Sequence, residues 1–320
     1  MPPPKSDPRE KFIQGLELGE SRVSFCGNPI VLLCGGKVSE KSHPDDEEVV
    51  ASLRQKLSKT ETAFEFFRPE EITDWHSDGV YKNLIDFEKD LAGICSLVLI
   101  VLESAGAIAE LGAFSQIEDM KQKMMVISSS EIKEKNSFIE LGVLRHLVDA
   151  NSGSVRKYPW DMCEARGVFV SVEDEVVDDI LSDVNVQLKE IPKSPSFKAV
   201  SNDHVMVLIY SLVKSFVALK LNEIAAYLGF FSVLLTEDNL KRKLFLMGRF
   251  RLIGKDTYSD STYYYVMSED FHRMAFRHKK GAPVDDLRLN VDCLKFYKSA
   301  GDRHRLGLLR KIKFKVDSDD

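Results

Sequence analysis

The first 190 residues alternate short, wholly apolar runs with helical patterns, and this alternation constrains the fold more than any other feature. A strand that is apolar throughout has both faces buried, as in a parallel sheet covered by helices on both sides. Because crossover connections are right-handed, we predict an α/β fold, a doubly wound, Rossmann-like parallel sheet of about five strands. The predicted strands are 30–33, 63–67, 97–102, 124–127 and 167–172.

A second domain is expected beyond 191–198, a segment that contains two prolines and two serines. Three helical patterns are followed there by two predicted strands, which is the element order of a winged helix-turn-helix. We therefore predict a first domain over 1–190, a linker over 191–198 and a winged-helix-like domain over 199–320. The helical patterns cover 205–219, 221–228, 236–250 and 268–278, and the strands cover 251–254 and 262–267.

The charge is unevenly distributed along the chain. The net charge is −6, yet residues 241–320 contain 19 Lys and Arg against 11 Asp and Glu, which leaves −14 for the first 240 residues. A basic C-terminal third on an acidic protein favours a polyanionic partner that meets this end alone. A solvated surface without a partner explains the same charges equally well.

Several classes of protein are not indicated. The five cysteines are scattered and never form C-x-x-C, and no histidine pattern suggests a metal site, so we expect neither a disulfide framework nor a bound metal. The longest apolar stretch, 97–102, is too short to cross a bilayer. The first residues lack the apolar core of a secretory signal. We expect a cytoplasmic protein that does not bind membranes.

A ligand of an open parallel sheet binds at the carboxyl ends of the strands. Gly35 and Gly36 follow the first predicted strand, and Glu103 and Ser104 end the third. Since a Gly-Gly pair is common in tight turns, these glycines alone do not identify a ligand. The chain contains neither a P-loop pattern nor G-x-G-x-x-G, which argues against P-loop nucleotide hydrolysis and hydride transfer.

Glu110 is the candidate catalytic residue near these strand ends. We expect Gly106 to allow a tight turn, so that Glu110 falls in the first turn of a helix beginning near Ala107. The helix dipole favours an ionised carboxylate there, and a positioned carboxylate can attack the anomeric carbon of a sugar. The same dipole favours an ordinary first-turn glutamate, and spacing alone leaves both interpretations open.

Two sequence motifs, one of which contains Glu110, resemble motifs of a known superfamily. Residues 103–114 read E-S-A-G-A-I-A-E-L-G-A-F, and residues 90–94 read D-L-A-G-I. Both resemble motifs of the nucleoside 2-deoxyribosyltransferase-like superfamily, E/D-S-x-G followed by E-L-G and D-L-x-G-I. The resemblance implies that Glu110 is the nucleophile and that Asp90 is the acid or base beside the leaving group.

Three blocks, at 33–36 (L-C-G-G), 103–115 and 137–147, further resemble the effector proteins of type II bacterial retrons. These effectors combine a transferase-like domain with a winged-helix-like domain. The resemblance implies a toxin that cleaves the N-glycosidic bond of NAD or a related nucleotide, with NAD as substrate and no cofactor. It implies that the retron reverse transcriptase and its multicopy single-stranded DNA (msDNA, joined to RNA) hold the toxin inactive until phage infection. It also implies a higher-order assembly.

The chain departs from the pattern of these relatives at two points. The usual S-P-G is S-A-G at 104–106, which loses the proline. The effectors place a glutamate at the position of Glu88, so Glu88 competes with Asp90 for the role beside Glu110. Because they lie two residues apart on a helix, both cannot face the crevice. The expected substrate-binding residues are Gly35, Gly36, Glu103, Ser104, Gly106 and Arg145.

The second domain carries basic side chains on its third predicted helix and beyond. The predicted tip of the hairpin carries Asp256 and Asp260, which would repel phosphate. Docking onto a protein–nucleic acid complex therefore fits better than independent DNA binding. The expected partner-binding residues are Lys241, Arg242, Lys243, Arg249, Arg251 and Arg277.

Two other functions fit the sequence. A metabolic deoxyribosyltransferase would need a pocket for an acceptor base and has no obvious use for a basic C-terminal domain. A DNA-binding regulator would use the α/β domain only to sense a ligand.

Overall fold

The computed structural model divides the chain into two compact units, Asn28–Ile191 and Met1–Gly27 with Pro192–Asp320. The predicted first domain over 1–190 differs from this division, because the N-terminal residues cluster with the C-terminal part. They form helix α1 (Pro8–Gly15) and strand β1 (Arg22–Ser24). The structure describes residues 6–38, 52–76, 79–130, 137–163, 168–279, 281 and 284–316.

Backbone hydrogen bonds explain where the N-terminal segment belongs. Strand β1 pairs antiparallel with Arg273–Ala275. The Val23 amide also donates to the Pro195 carbonyl (2.9 Å), and the Phe25 amide donates to the Lys193 carbonyl (3.0 Å). Residues 193–197 of the predicted linker are therefore hydrogen-bonded to the N-terminal segment within this unit.

The unit Asn28–Ile191 contains a five-stranded parallel sheet. Its strands are β2 (Ile30–Cys34), β3 (Glu65–Phe67), β4 (Leu97–Val101), β5 (Met124–Ser129) and β6 (Val155–Tyr158). The predicted parallel sheet of an α/β fold is confirmed. The spatial order β3-β2-β4-β5-β6 reverses between β2 and β4, so the ligand crevice of such a sheet lies at the carboxyl ends of these two strands.

The fifth strand of the sheet was predicted wrongly. Segment 167–172 forms β8 (Val168–Ser171), which pairs antiparallel with β7 (Asp161–Cys163) outside the sheet. The true fifth strand, β6, reads Val-Arg-Lys-Tyr. Because β6 lies at the sheet edge, only Tyr158 among its four side chains is buried, and the strand carries the two charged residues Arg156 and Lys157. It therefore lacks the wholly apolar run of a central strand.

Helices cover the sheet of this unit. They are α2 (Leu53–Lys59), α3 (Leu84–Ala92), α4 (Ala105–Phe114), α5 (Glu118–Lys121), α6 (Arg145–Ala150), which continues a π-helical segment Ile139–Leu144, and α7 (Asp174–Glu190). One sheet face forms a core with buried side chains of α2 and α7. The part of the predicted helix 45–57 before residue 52 lies outside the described residues.

The second unit continues with helices and an antiparallel sheet. Its further elements are α8 (Asn202–Ser215), β9 (Ala218–Leu219), α9 (Leu221–Phe230), α10 (Glu237–Arg249), β10 (Ile253–Tyr258), β11 (Ser261–Val266), β12 (Arg273–Ala275), α11 (Asp286–Ser299) and α12 (Arg303–Val316). Strands β10, β11 and β9 form one sheet in that order. None of the helices described here is long and apolar enough to span a bilayer.

The helix predicted over 268–278 is wrong, because part of this segment is strand β12. Its pairing partner is β1, about 250 residues earlier in the chain, and no local pattern reveals such a pairing. Phe271 and Met274 are buried there. Helices α11 and α12 were not predicted.

Candidate active site at the ends of two central strands

The carboxyl ends of β2 and β4 are tied together by side-chain hydrogen bonds. The Ser104 hydroxyl donates to the Gly35 carbonyl (3.2 Å) and accepts from the Ala107 amide (3.1 Å), which makes Ser104 the N-cap of α4. The structure thus brings Gly35 and Ser104 together, and their role in substrate binding stays a prediction. The hydroxyl of Ser104 holds the local backbone in place.

Glu103 has the same kind of role at the next helix. Its buried carboxylate accepts hydrogen bonds from the amides of Gly36 (3.0 Å), Leu53 (2.8 Å) and Arg54 (3.0 Å), and so caps the N-terminus of α2. A Cβ atom at Gly36 would lie 2.8 Å from Cγ of Glu103, so this close approach requires glycine. Burial raises the pKa of Glu103, and the amide donors oppose that rise. Glu103 is engaged in positioning the site.

Gly106 and Glu110 lie differently in the helix than predicted. Helix α4 begins at Ala105, so Gly106 is inside the helix, and no neighbour crowds a Cβ atom there more closely than 3.7 Å. The expected tight turn at Gly106 is therefore wrong. Glu110 is the sixth helical residue and falls in the second turn, beyond the first turn where the helix dipole acts most strongly.

Burial, and not the dipole, dominates the surroundings of Glu110. Its Oε2 atom is buried and has no hydrogen-bond partner among the described residues. Burial raises the pKa of the carboxyl group, the Arg54 charge opposes that rise, Glu70 adds to it, and a hydrogen bond with Cys34 lowers it. A carboxylate that lacks full compensation in a crevice is a candidate for chemistry.

Glu88 is the second carboxyl group of the site. It lies on α3, is only 4% exposed, and has its pKa raised to about 8 by burial and then by the negative charge of Glu110. The Arg54 charge opposes this rise. Glu88 is therefore protonated at neutral pH, whereas an unperturbed glutamate would be ionised. The negative charge of Glu110 thus makes the loss of the Glu88 proton less favourable.

The structure distinguishes Glu88 from Asp90. Asp90 is half-buried and accepts a hydrogen bond from the Tyr81 hydroxyl (3.1 Å). Two positions along a helix correspond to a rotation of about 200°, so these side chains point in nearly opposite directions. Glu88 interacts electrostatically with Glu110.

Arg54 was missed in the sequence and is a central cation of the site. Its buried guanidinium donates from Nε to the Leu33 carbonyl (2.9 Å), from Nη1 to the Gly36 carbonyl (3.2 Å) and from Nη2 to Oε2 of Glu70 (2.6 Å). The one feature of the sequence that could have indicated a role for Arg54 is its charge among the apolar positions of the predicted helix 45–57.

Arg145 is not part of this cluster. It lines a groove of about 560 Å³ between the π-helical segment, α6 and the edge strand β6, three strands away from β2. Lys157 on β6 forms an ion pair with Glu140 (2.9 Å) in the same groove. The predicted substrate role of Arg145 gains no support from this placement.

The predicted partner-binding residues occupy different environments. Lys243 is buried and hydrogen-bonded to Asn202, so the prediction that it binds a partner at the surface is wrong. Lys241 pairs with Glu237 (2.6 Å), and the Arg249 guanidinium lies 4.8 Å from the centroid of the Phe245 ring. Arg242 is half-buried on the same helix, and Arg251 is exposed just beyond it.

Arg277 lies away from this helix in sequence and belongs to the segment after β12. Its carbonyl accepts a hydrogen bond from the Glu17 amide (2.7 Å). Within the described part of the chain, no group of three His, Cys, Asp or Glu side chains is arranged to hold a metal ion.

These observations define an α/β protein with a parallel sheet and a pair of interacting carboxyl groups at the point where strand order reverses. The chain belongs to the STM3845 retron effector protein family, whose model matches residues 50–255, more than half of its length. It is therefore a retron effector, and the match includes parts of both units.

Two curated relatives come from Escherichia coli. The Retron Ec86 putative ribosyltransferase/DNA-binding protein is 33% identical over 126 residues, which cover 39% of each chain. The Retron Ec73 putative ribosyltransferase/DNA-binding protein is 29% identical over 82 residues, which cover 26% of each chain. The aligned regions thus span about two fifths and one quarter of these relatives.

Proposed function

We propose that this retron effector is an N-glycosidase that cleaves NAD or a related nucleotide. The observation that carries the proposal is the Glu88–Glu110 pair, which combines a protonated carboxyl group with an incompletely paired one beside the ends of β2 and β4. Two carboxyl groups in different protonation states are the usual equipment for breaking a glycosidic bond.

Glu110 acts on the sugar. In its ionised form it attacks the anomeric carbon, or stabilises positive charge there, while the C–N bond breaks and its electron pair leaves with the base. When an ester forms at Glu110, water later attacks the same carbon and returns the carboxylate. Arg54 supports the ionised form, because its positive charge lowers the pKa of Glu110.

Glu88 acts as the general acid and then as the general base. It donates to a neutral base as the base departs, and its ionised form then accepts a proton from water. The nicotinamide of NAD is cationic while bonded to ribose and leaves as a neutral molecule without a proton. With NAD, Glu88 keeps its proton, and the proton of the attacking water passes to the solvent. Loss of Glu88 should therefore impair cleavage of an ordinary nucleoside more than cleavage of NAD.

Deoxyribosyl transfer between bases is the second candidate activity. The protonated Glu88 favours it, because transfer requires a proton for a neutral leaving base. The putative ribosyltransferase in the printed names of both relatives also supports this chemistry. An acceptor base would replace water in the second step.

The second unit is proposed to dock the effector onto the retron reverse transcriptase and its msDNA in the cytoplasm. Helices α8, α9 and α10 followed by the β10–β11 hairpin have the order of a winged helix, and Lys241, Arg249 and Arg251 lie on or just after α10. The relatives carry DNA-binding in their names. We propose that this complex, a higher-order assembly, keeps the enzyme inactive until phage infection.

Purified protein incubated with NAD, and separately with a deoxynucleoside plus a different free base, tests the activity. Chromatography should show free nicotinamide in the first reaction; a new deoxynucleoside in the second would favour the transferase instead. Glu110→Gln should reduce either reaction about a thousandfold while leaving assembly with the retron complex intact. Turnover that is unchanged in Glu110→Gln would exclude the proposed site.

A further inference from the structure

Strand β6 lies at one edge of the parallel sheet, and its outer side carries unpaired backbone groups. The carbonyls of Ser154 and Tyr158 accept hydrogen bonds from amide groups within β5 and directly after it (2.7 and 2.9 Å). Because alternate residues of a parallel strand bond to the same neighbour, the intervening Val155 and Lys157 direct their amide and carbonyl groups away from β5. Among the described residues, these backbone groups have no hydrogen-bond partner.

The groove of about 560 Å³ described above lies beside this open edge. Val155 and Lys157 line it together with Leu141, Leu144 and Val148 from the π-helical segment and α6. Leu141 and Val148 are 45% and 40% exposed. Side chains that lie opposite each other on neighbouring strands share a face of the sheet. A strand added to β6 would therefore direct every second side chain towards these apolar residues.

The charged residues that line the groove offset one another. Lys157 forms an ion pair with Glu140 (2.9 Å). Arg145 and Asp149 are both exposed and lie one helical turn apart on α6. The groove therefore has no net charge, and its apolar side chains favour an apolar occupant.

Arg156 lies on the opposite face of the sheet from Val155 and Lys157, because side chains alternate along a strand. Its side chain is 40% exposed, and its Nε atom lies 3.5 Å from Oδ2 of Asp183 without a hydrogen bond among the described residues. The same oxygen of Asp183 accepts a hydrogen bond from the Tyr158 hydroxyl (2.5 Å). The Arg156 charge is therefore only partly compensated, and an acidic residue opposite it on an added strand would be favourable.

We propose that the outer edge of β6 binds an extended segment of another protein, which adds to the sheet as a further strand. The backbone groups of Val155 and Lys157 bind the backbone of this segment, the groove receives its apolar side chains, and Arg156 pairs with an acidic side chain between them. The segment thus alternates apolar and acidic residues. This binding does not depend on the proposed enzymatic activity.

A second copy of the chain is a less suitable occupant. In each antiparallel register that overlaps most of β6, Arg156 or Lys157 of one copy lies opposite Arg156 or Lys157 of the other. Like charges directly opposite each other destabilise a strand pair. The charges of β6 therefore favour an acidic strand from a different protein.

A phage-displayed library of short peptides, selected on the full-length protein, supplies the probe. The selected peptides should alternate apolar and acidic residues. Lys157→Pro should weaken their binding about tenfold, because proline removes the outward-facing amide and leaves the bonds between β6 and β5 in place. Lys157→Ala is the matched control, since it also removes the ion pair with Glu140 but keeps the amide, and it should change binding less than about threefold.

Two further variants decide the matter even if Lys157→Pro does not fold. Val148→Glu places a charge in the groove and should weaken binding about tenfold. Val186→Glu, at a 47% exposed position on α7, is its control and should leave binding unchanged. Arg156→Gln should remove a preference of about threefold for an acidic peptide over the same peptide with lysine in place of each acid.

Several results would overturn the inference. They are the selection of no peptide, the selection of basic peptides, and binding that is as tight to Val148→Glu as to Val186→Glu. Analytical ultracentrifugation tests the other occupant. A dimer of the unmodified protein that dissociates in Lys157→Pro, but not in Lys157→Ala, would show that a second copy occupies the edge instead.

Discussion

The two units each contain a buried cluster of charged side chains, and the clusters differ in how completely the acids are paired. In the second unit, Glu223 accepts hydrogen bonds from Arg9 (2.7 Å) and from Arg305 (2.7 and 2.8 Å). The Arg305 guanidinium also lies 4.4 Å from the centroid of the Tyr297 ring. In the α/β unit, Glu88 and Glu110 share the influence of Arg54, which already pairs with Glu70.

The pairing difference changes the protonation state. Burial disfavours the ionised form of Glu223, but the charges of Arg305 and Arg9 outweigh burial, and its pKa is lowered. For Glu88 and Glu110, burial outweighs the Arg54 charge, and both pKa values are raised. A fully paired acid supports the fold, whereas an incompletely paired acid stores reactivity at the expense of stability.

Glu223 should be indispensable for the stability of the second unit. Glu223→Ala should reduce the stability of the second unit by about 3 to 5 kcal/mol, because it leaves two buried guanidinium groups without their shared partner. Faster hydrogen exchange in α9 and α12 would reveal this loss. Glu237→Ala removes an exposed ion pair with Lys241 and should change exchange little; equal effects of the two variants would contradict the comparison.

Removal of the ionisable group at Glu88 should stabilise the α/β unit, whereas removal of Glu223 should destabilise the second unit. Since the pKa of Glu88 is about 8 in the folded state and near 4.5 when unfolded, the unfolded chain releases the proton first as the pH rises, and stability falls between these values. Glu88→Gln removes this loss and should stabilise the α/β unit by about 3 kcal/mol at pH 7.

Glu88→Gln should have almost no effect on stability near pH 4, because Glu88 is then neutral in both the folded and the unfolded chain. Urea unfolding followed by tryptophan fluorescence measures this, because both tryptophans, Trp75 and Trp160, belong to the α/β unit. A stability gain that is equal at pH 4 and pH 7 would show that Glu88 is not held protonated.

The sequence predicted the central strands of the fold because they are wholly buried. Strands β2, β4 and β5 fall within a few residues of their predicted bounds. The edge strand β6 was missed because its side chains are mixed, and β12 was taken for a helix because its partner is distant in the chain. Local patterns report burial and periodicity, and they do not report such pairings.

Contacts between elements that are distant in the sequence could not be predicted for the site either. Glu110 was located by motif, but its surroundings depend on residues from other elements, Arg54 on α2 and Glu88 on α3. The choice between Glu88 and Asp90 was partly visible, since Phe87, Glu88 and Leu91 lie on the buried side of α3. The fixed contacts of Arg54 with carbonyls at the end of β2 had no sequence signal.

The relative rates of Glu88→Gln and Asp90→Asn test the account most directly, since it claims that Glu88 and Glu110 form the reacting pair. Both variants are near-isosteric, and Asp90→Asn can still accept from Tyr81. Both variants are measured on the nucleoside or nucleotide that the unmodified protein cleaves fastest. Glu88→Gln should reduce turnover about a hundredfold on a substrate whose leaving base is neutral, and should reduce it less on NAD. Asp90→Asn should lose less than about threefold on either substrate. A large loss in Asp90→Asn with full activity in Glu88→Gln would contradict the account.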